Sequence, residues 1–112
     1  MTYPIDNRIS AWTALGDLTR RTIFERLLEQ PQAVHSLANG LPVSRPAVSQ
    51  HLKVLSDAGL VVARREGKQR IYQVDPNGIA ALRAELQRFW DKTMAAYKAL
   101  VEQSPTETPK EE

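Results

Sequence analysis

The chain has 112 residues and not one cysteine. Disulfide staples, thiolate metal sites and cysteine nucleophiles are thereby excluded together, and nothing calls for an oxidising compartment. Histidine is almost as scarce, His35 and His51 being the only two. Two isolated imidazoles without matched partners make a poor start for zinc, which wants about four ligands, and they offer few general bases. No Gly-rich phosphate loop occurs, and no Ser/His/acid set can be assembled with a rationale. An enzyme is therefore not expected, nor a metal, nor any other cofactor. Apolar residues never continue for the ~20 positions of a membrane span, and no signal peptide is recognisable. The expectation is a cytoplasmic protein without a membrane partner.

Charge is present but unevenly placed. Fifteen Lys and Arg against 13 Asp and Glu give +2 overall. Residues 103–112 hold Glu107, Glu111, Glu112 and Lys110, a net of −2, which leaves +4 on the preceding body. A mildly basic body is compatible with a phosphate-backbone partner without establishing one. The length suits a single domain with a modest core, which a partner subunit would help to complete. Residues 1–102 are taken as that domain. Residues 103–112 contain Pro105, Pro109, Thr and Glu without apolar periodicity, and are expected to form a disordered acidic tail.

The best-marked segment runs from Val43 to Leu60. At roughly 100° per residue, Val48, Leu52 and Leu55 stack into one apolar stripe, while Pro46, Ser49, Gln50 and Lys53 fall together on a polar side. Ser44 can accept a hydrogen bond from an orphan amide of the first turn. Pro46 is tolerated there because its missing donor is not needed, and Gly59 suits a left-handed stop. One short helix thus has a face that anchors it and a face free to meet something.

Upstream, Ile9, Trp12 and Leu15 recur three residues apart within Ile5 to Leu15, as in a short amphipathic helix that Gly16 ends. Asp17 is the expected N-cap of a second helix, with Ile23, Phe24, Leu27 and Leu28 apolar and Arg20, Arg21, Glu25 and Arg26 on its wet side. Pro31 stops it. A third helix, about Val34 to Asn39, contributes Val34, Leu37 and Ala38 before the Asn39-Gly40-Leu41-Pro42 break. After Gly59 the period becomes strand-like: Val61, Val62 and Ala63 enter a basic turn from Arg64 to Arg70, and Ile71, Tyr72, Gln73 and Val74 return. Asp75-Pro76 starts a last helix reaching about Glu102, with Gly78 its only breaker. Ile79, Leu82, Leu86, Phe89, Trp90, Thr93, Tyr97, Leu100 and Val101 follow a three-and-four spacing along it.

Helix, helix, short helix, helix, hairpin, long helix is the order of a winged helix-turn-helix domain, mainly α with a small β-hairpin. The strings Leu15-Gly16-Asp17-Leu18-Thr19-Arg20-Arg21-Thr22-Ile23, Val43 through Leu55 and Ala58-Gly59-Leu60-Val61 resemble the ArsR/SmtB family of bacterial repressors over roughly residues 10 to 95. The Ser-x-x-Ser-x-His-Leu-x-x-Leu pattern is the specific part. Leu18 departs from it, since many relatives begin the second helix with proline, but Asp17 can still cap that helix. The resemblance implies a repressor. Its metal-sensing members carry cysteines or clustered histidine and carboxylate pairs. Here His35 stands beside Val34 where relatives have a Cys-x-Cys pair, so the non-metal-sensing type is expected.

The chemistry of the exposed groups points to double-stranded DNA as the partner. Ser44, Arg45, Pro46, Ser49, Gln50, His51 and Lys53 are the candidate contacts of the recognition helix. Gln50 can donate and accept at a base edge, Ser49 can reach base or phosphate, and Lys53 and Arg45 bring charge to the backbone. His51 suits packing or a phosphate contact. Arg64, Arg65, Lys68, Gln69 and Arg70 are the candidate wing, where seven residues carry +3 and suit phosphate or minor-groove contact. The same charges also discourage strand-to-strand aggregation, and both uses can coexist. Ile9, Trp12, Leu82, Leu86, Phe89, Trp90 and Tyr97 are the candidate dimer interface of the first and last helices, because one small domain cannot bury both alone. Some of these aromatics could instead line a pocket between subunits. The expected function is a homodimeric repressor on an inverted-repeat operator, released by a small apolar ligand or a partner protein, or governed simply by autoregulation through its concentration. The alternative is a winged-helix protein-interaction module that docks through the last helix.

Overall fold

Side-chain caps set where the first, second and fourth helices begin. In the computed structural model, which describes residues 9–103, Ser10 Oγ accepts from the amide of Thr13 at 3.1 Å and opens α1, Ala11–Ala14. Asp17 Oδ1 accepts from the amide of Arg20 at 2.9 Å and opens α2, Leu18–Glu29. After the uncapped turn α3, Val34–Ala38, Ser44 Oγ accepts from Ala47 N at 3.2 Å and opens α4, Arg45–Asp57, with Pro46 in its first turn. Each satisfies an amide that an N-terminus leaves without an intrahelical partner. A hairpin follows, β1 (Val61–Glu66) antiparallel to β2 (Gln69–Val74), and then α5, Pro76–Gln103. Asp75 Oδ1 holds the amide of Asn77 at the start of α5. This is the winged helix-turn-helix order expected from the sequence.

The chain divides into two compact units, one ending at Leu82 and one beginning at Arg83. In the first, α2 and α3 pack on α4. The core is formed by Ala11, Ala14, Ile23, Phe24, Leu27, Leu37, Val48, Leu52, Leu55, Leu60 and Val61. In the second, the helical residues to Gln103 expose Leu86, Phe89, Trp90, Met94, Tyr97, Leu100 and Val101. At roughly 100° per residue these seven fall within an arc of about 140°, so they form one stripe.

Four expectations are corrected. The first helix, expected over Ile5 to Leu15, is the single turn Ala11–Ala14; Ile5 lies outside the described residues, as do residues 104–112 of the expected tail. It turns Ala11 and Ala14 inward while Ile9 and Trp12 are each 37% exposed, because the small side chains let α1 approach α4 closely. Leu28 is 56% exposed rather than part of the core. On a helical wheel it lies about 95° from the centre of Ile23, Phe24 and Leu27. The basic turn is mostly strand: pairing runs out to Glu66↔Gln69 and leaves Gly67-Lys68 as a two-residue turn, with Gly67 at φ 64°.

The last correction concerns Gly78, which is a packing requirement and not a breaker. A Cβ there would lie 2.0 Å from the carbonyl oxygen of Gly59 and 2.9 Å from Leu60 Cα. The first turn of α5 therefore rests directly on the backbone that ends α4, where Asp75 N also donates to Leu60 O at 2.9 Å. Gly78→Ala is expected to cost at least about 2 kcal/mol, since backbone cannot yield as a side chain can. Gly67→Asn should stay within about 0.5 kcal/mol, because that site is open and asparagine tolerates the left-handed region. Urea unfolding midpoints of the two variants test the contrast.

Candidate nucleic-acid interface

The interface starts from the buried side of α4. Val48, Leu52 and Leu55 are each 0% exposed, which fixes the rotation of the helix about its own axis. On the opposite side Ser44, Arg45, Pro46, Ser49, Gln50 and Lys53 are all exposed. The side chains of Arg45, Ser49 and Gln50 have no hydrogen-bonding partner among the described residues, so their donors and acceptors are available. Lys53 differs. Its Nζ meets Asp57 Oδ2 at 3.1 Å, an exposed i,i+4 pair worth well under 1 kcal/mol that a phosphate could displace.

His51 is half-buried on the flank of α4 that faces α2. Its Nδ1 lies 3.2 Å from Arg20 Nη1. A guanidinium can only donate, so Nδ1 must accept, and the ring proton then resides on Nε2. In this arrangement Nε2 is the edge of His51 left to donate elsewhere. Arg20 is itself held by a 2.7 Å bond from Nε to Ala14 O. Arg26, also placed on the wet side from sequence, donates from Nη1 to Asn39 O at 3.0 Å. Both arginines satisfy carbonyls at the ends of neighbouring short helices, groups that have no intrahelical donor. Sequence reasoning missed these clamps because their partners lie 6 to 31 positions away.

The hairpin distributes its charges over two faces. Arg65 pairs with Arg70 and Ala63 with Tyr72, so these four share one face. Ala63, Arg70 and Tyr72 line a cleft with Ser49, Lys53, Ser56 and Asp57, so that face is turned toward α4. Arg64 lies on the other face, where its guanidinium bonds Gln73 Oε1 and approaches Glu66 at 3.4 Å. Of the wing candidates, Arg65, Lys68, Gln69 and Arg70 are exposed without such partners among the described residues. The root of the wing is held by a two-way bridge, Gln32 N to Tyr72 O at 3.1 Å and Tyr72 N to Gln32 O at 2.9 Å.

Of the dimer candidates, Leu82 is half-buried and packs against the core, one turn beyond Ile79, which does the same. Leu86, Phe89, Trp90 and Tyr97 are exposed in the stripe on α5, and Ile9 and Trp12 are exposed beside α1. His35 is exposed on α3 and lines a second cleft. Among the described residues no three His, Asp or Glu side chains converge as metal ligands would, and no helix is long and apolar enough to cross a membrane.

A family model for bacterial regulatory proteins of the arsR family matches residues 17–62. The HTH-type transcriptional regulator Rv2034 of Mycobacterium tuberculosis is 55% identical over 98 residues, 88% of this chain and 92% of that protein. A crystal structure of a "possible transcriptional regulator for arsenical resistance" superposes with TM-score 0.70 at 40% identity, over 79% of this chain and 96% of the other. The solution structure of a homodimeric winged helix-turn-helix DNA-binding domain, Mb0332 of Mycobacterium bovis, superposes with TM-score 0.59 at 30% identity, over 75% and 78%. The chain belongs to the arsR family of bacterial regulatory proteins, and is a transcriptional regulator built on a DNA-binding winged helix-turn-helix.

One electrostatic consequence is testable. The amide of Arg20 holds the Asp17 carboxyl below the usual carboxylate range, and the charges of Arg20 and His51 act in the same direction against partial desolvation. A carboxyl whose folded pKa is lowered stabilises the fold fully above its unfolded value, and that contribution fades as pH falls through the lowered value. Asp17→Ala should therefore cost about 1 kcal/mol near neutrality. The gap to the parent should narrow as pH drops below about 4. Urea midpoints that stay parallel down to pH ~2 would assign the cost to something other than ionisation.

Proposed function

We propose that the chain is a homodimeric repressor that reads an inverted-repeat operator and keeps polymerase off the promoter. The observation that carries this reading is the two-sidedness of α4: three wholly buried side chains behind, and Arg45, Ser49 and Gln50 in front with no partner among the described residues. Such a helix is rigid enough to enter a major groove with its reading groups uncommitted. Gln50 is the base reader, able to donate and accept in a bidentate pair. Ser44, Arg45, Ser49, His51 and Lys53 position the helix on sugar and phosphate, with Pro46 shaping its first turn. Arg65, Lys68, Gln69 and Arg70 engage the neighbouring backbone from the wing. Arg64 contributes least because Gln73 and Glu66 already hold it.

The exposed stripe on α5 supports a second copy as partner. Seven large apolar side chains on one helical face form a surface that water penalises until it is covered. The homodimeric state of the Mycobacterium bovis domain favours an identical copy as the cover; Ile9 and Trp12, exposed in the first unit, are further interface candidates. Two-fold symmetry then sets the recognition helices about 34 Å apart, one turn of B-DNA, which calls for an operator with matching half-sites. Repression follows from occupying promoter DNA and agrees with the family resemblance.

Gln50→Ala is expected to relax base preference at one operator position, at about 1–3 kcal/mol. Lys68→Ala should weaken all sequences alike and flatten the slope of log K against log salt by about 0.9. Binding to selected genomic duplexes at several salt concentrations measures both. Wild-type behaviour of both variants would remove these roles, and no shift of any duplex at low salt would favour the interaction module. Trp90→Glu, which places a charge in the stripe, should give a monomer in sedimentation and lose operator affinity. A variant that stays dimeric would show that the stripe is not the interface.

A further inference from the structure

The wing holds a pair of like charges where a hairpin least tolerates them. Both hydrogen bonds of Tyr72 go to Gln32, so Tyr72 exchanges none with Ala63 across the hairpin. Hydrogen-bonded and non-hydrogen-bonded pairs alternate along an antiparallel ladder. Arg65↔Arg70, two positions on, is therefore also a non-hydrogen-bonded pair. In such pairs the Cα atoms lie about 4.5 Å apart and the side chains are at their closest. Two guanidiniums standing directly opposite repel, and no carboxylate among the described residues answers either of them. Of the acidic residues nearby, Glu66 turns to Arg64 on the far face, and Asp57, which lines a cleft with Arg70, pairs with Lys53.

Arg70 also has a particular position relative to the recognition helix. It lines the cleft of about 520 Å³ with Ser49, Lys53, Ser56, Asp57, Ala63 and Tyr72. It equally lines a cleft of about 430 Å³ with Ala33, Val34, His35, Arg45, Pro46, Ser49 and Gln69. Arg70 and Ser49 are the residues common to both, so they form the seam between wing and α4. The Ser49 hydroxyl and the cations Arg45, Lys53 and Arg70 thus gather where the wing meets the helix, Asp57 being paired with Lys53, and Arg65 stands opposite Arg70 on the same face of the hairpin.

We infer that Arg65 and Arg70 share a single oxyanion, one phosphate of the DNA backbone seated at the Ser49–Arg70 seam, so that the wing and the recognition helix hold the same strand. This rests on the DNA-binding reading and specifies it: the wing arginines act as one phosphate clamp and not as two separate contacts. The repulsion within the pair is a cost carried by the free protein. A phosphate removes it, because one anion between two guanidiniums turns repulsion into two charge-assisted contacts. His35, outside every earlier contact set, also lines the cleft of about 430 Å³ that Arg70 and Ser49 share.

The test uses Arg65→Thr, Arg70→Thr and the double variant of the full chain, threonine being chosen for its fitness in strands. In chloride, Arg65→Thr should raise Tm by roughly 1–3 °C as the repulsion disappears. Replacing chloride by inorganic phosphate at equal ionic strength should raise the wild-type Tm and leave all three variants unmoved. On an operator duplex each single variant should bind about tenfold more weakly or worse. The salt slope of the double variant should fall by about 0.9, no more than that of either single, because one phosphate is lost in every case. A fall of about 1.8 in the double variant would mean two separate phosphates and would overturn the clamp. A wild-type Tm indifferent to phosphate would overturn it as well. A phosphate-dependent Tm with no binding to any duplex would refute the DNA reading while assigning the seat to a free phosphate or phosphorylated ligand.

Discussion

Everything the interface can do depends on one side of α4 being completely withdrawn from water. Val48, Leu52 and Leu55 are sealed by α2 and α3, and burying each such side chain is worth about 1.5–3 kcal/mol. A rotation of α4 by one residue, roughly 100°, would drag that stripe into solvent and push Ser49 or Gln50 inward. The anchoring energy therefore also sets which groups face outward. The surrounding elements serve the same end: alanines in α1 permit close approach, Ser44 fixes the first turn, and Gly59 with Gly78 lets the chain leave the helix tightly.

The parts of the fold that were legible in the sequence are those with local causes. Caps at Asp17 and Ser44 read correctly because a side chain and the amide three positions on need nothing else. The stripe of α4 read correctly because its period is that of the helix. The length of the wing did not. The charges from Arg64 to Arg70 suggested a loop, whereas strand pairing continues wherever backbone groups on both chains can meet, whatever the side chains carry. Gly78 was read as a local weakness because its reason lies in the backbone of Gly59, across the chain.

Of the candidate site, exposure was more legible than geometry. Periodicity put Ser49, Gln50 and Lys53 on one face, and they are exposed there. It gave no sign that Asp57 would pair with Lys53, that Arg64 would turn away from α4, or that Arg20 would fix the tautomer of His51. Each of these depends on which side chain stands across a gap. Alternation across the two strands could have separated Arg64 from Arg65, had the turn been set at Gly67-Lys68 from the start.

The bridge between Gln32 and Tyr72 has a consequence for how the wing meets a partner. With both backbone groups of Tyr72 engaged, the base of the hairpin is ordered before anything arrives, and the two-residue turn stands only a few rungs beyond it. Freezing a backbone residue costs about 1–2 kcal/mol of conformational entropy. A wing tethered at its root confines that loss to its outermost residues. In the proposed complex, most of the attraction gained by its cations would then survive as affinity.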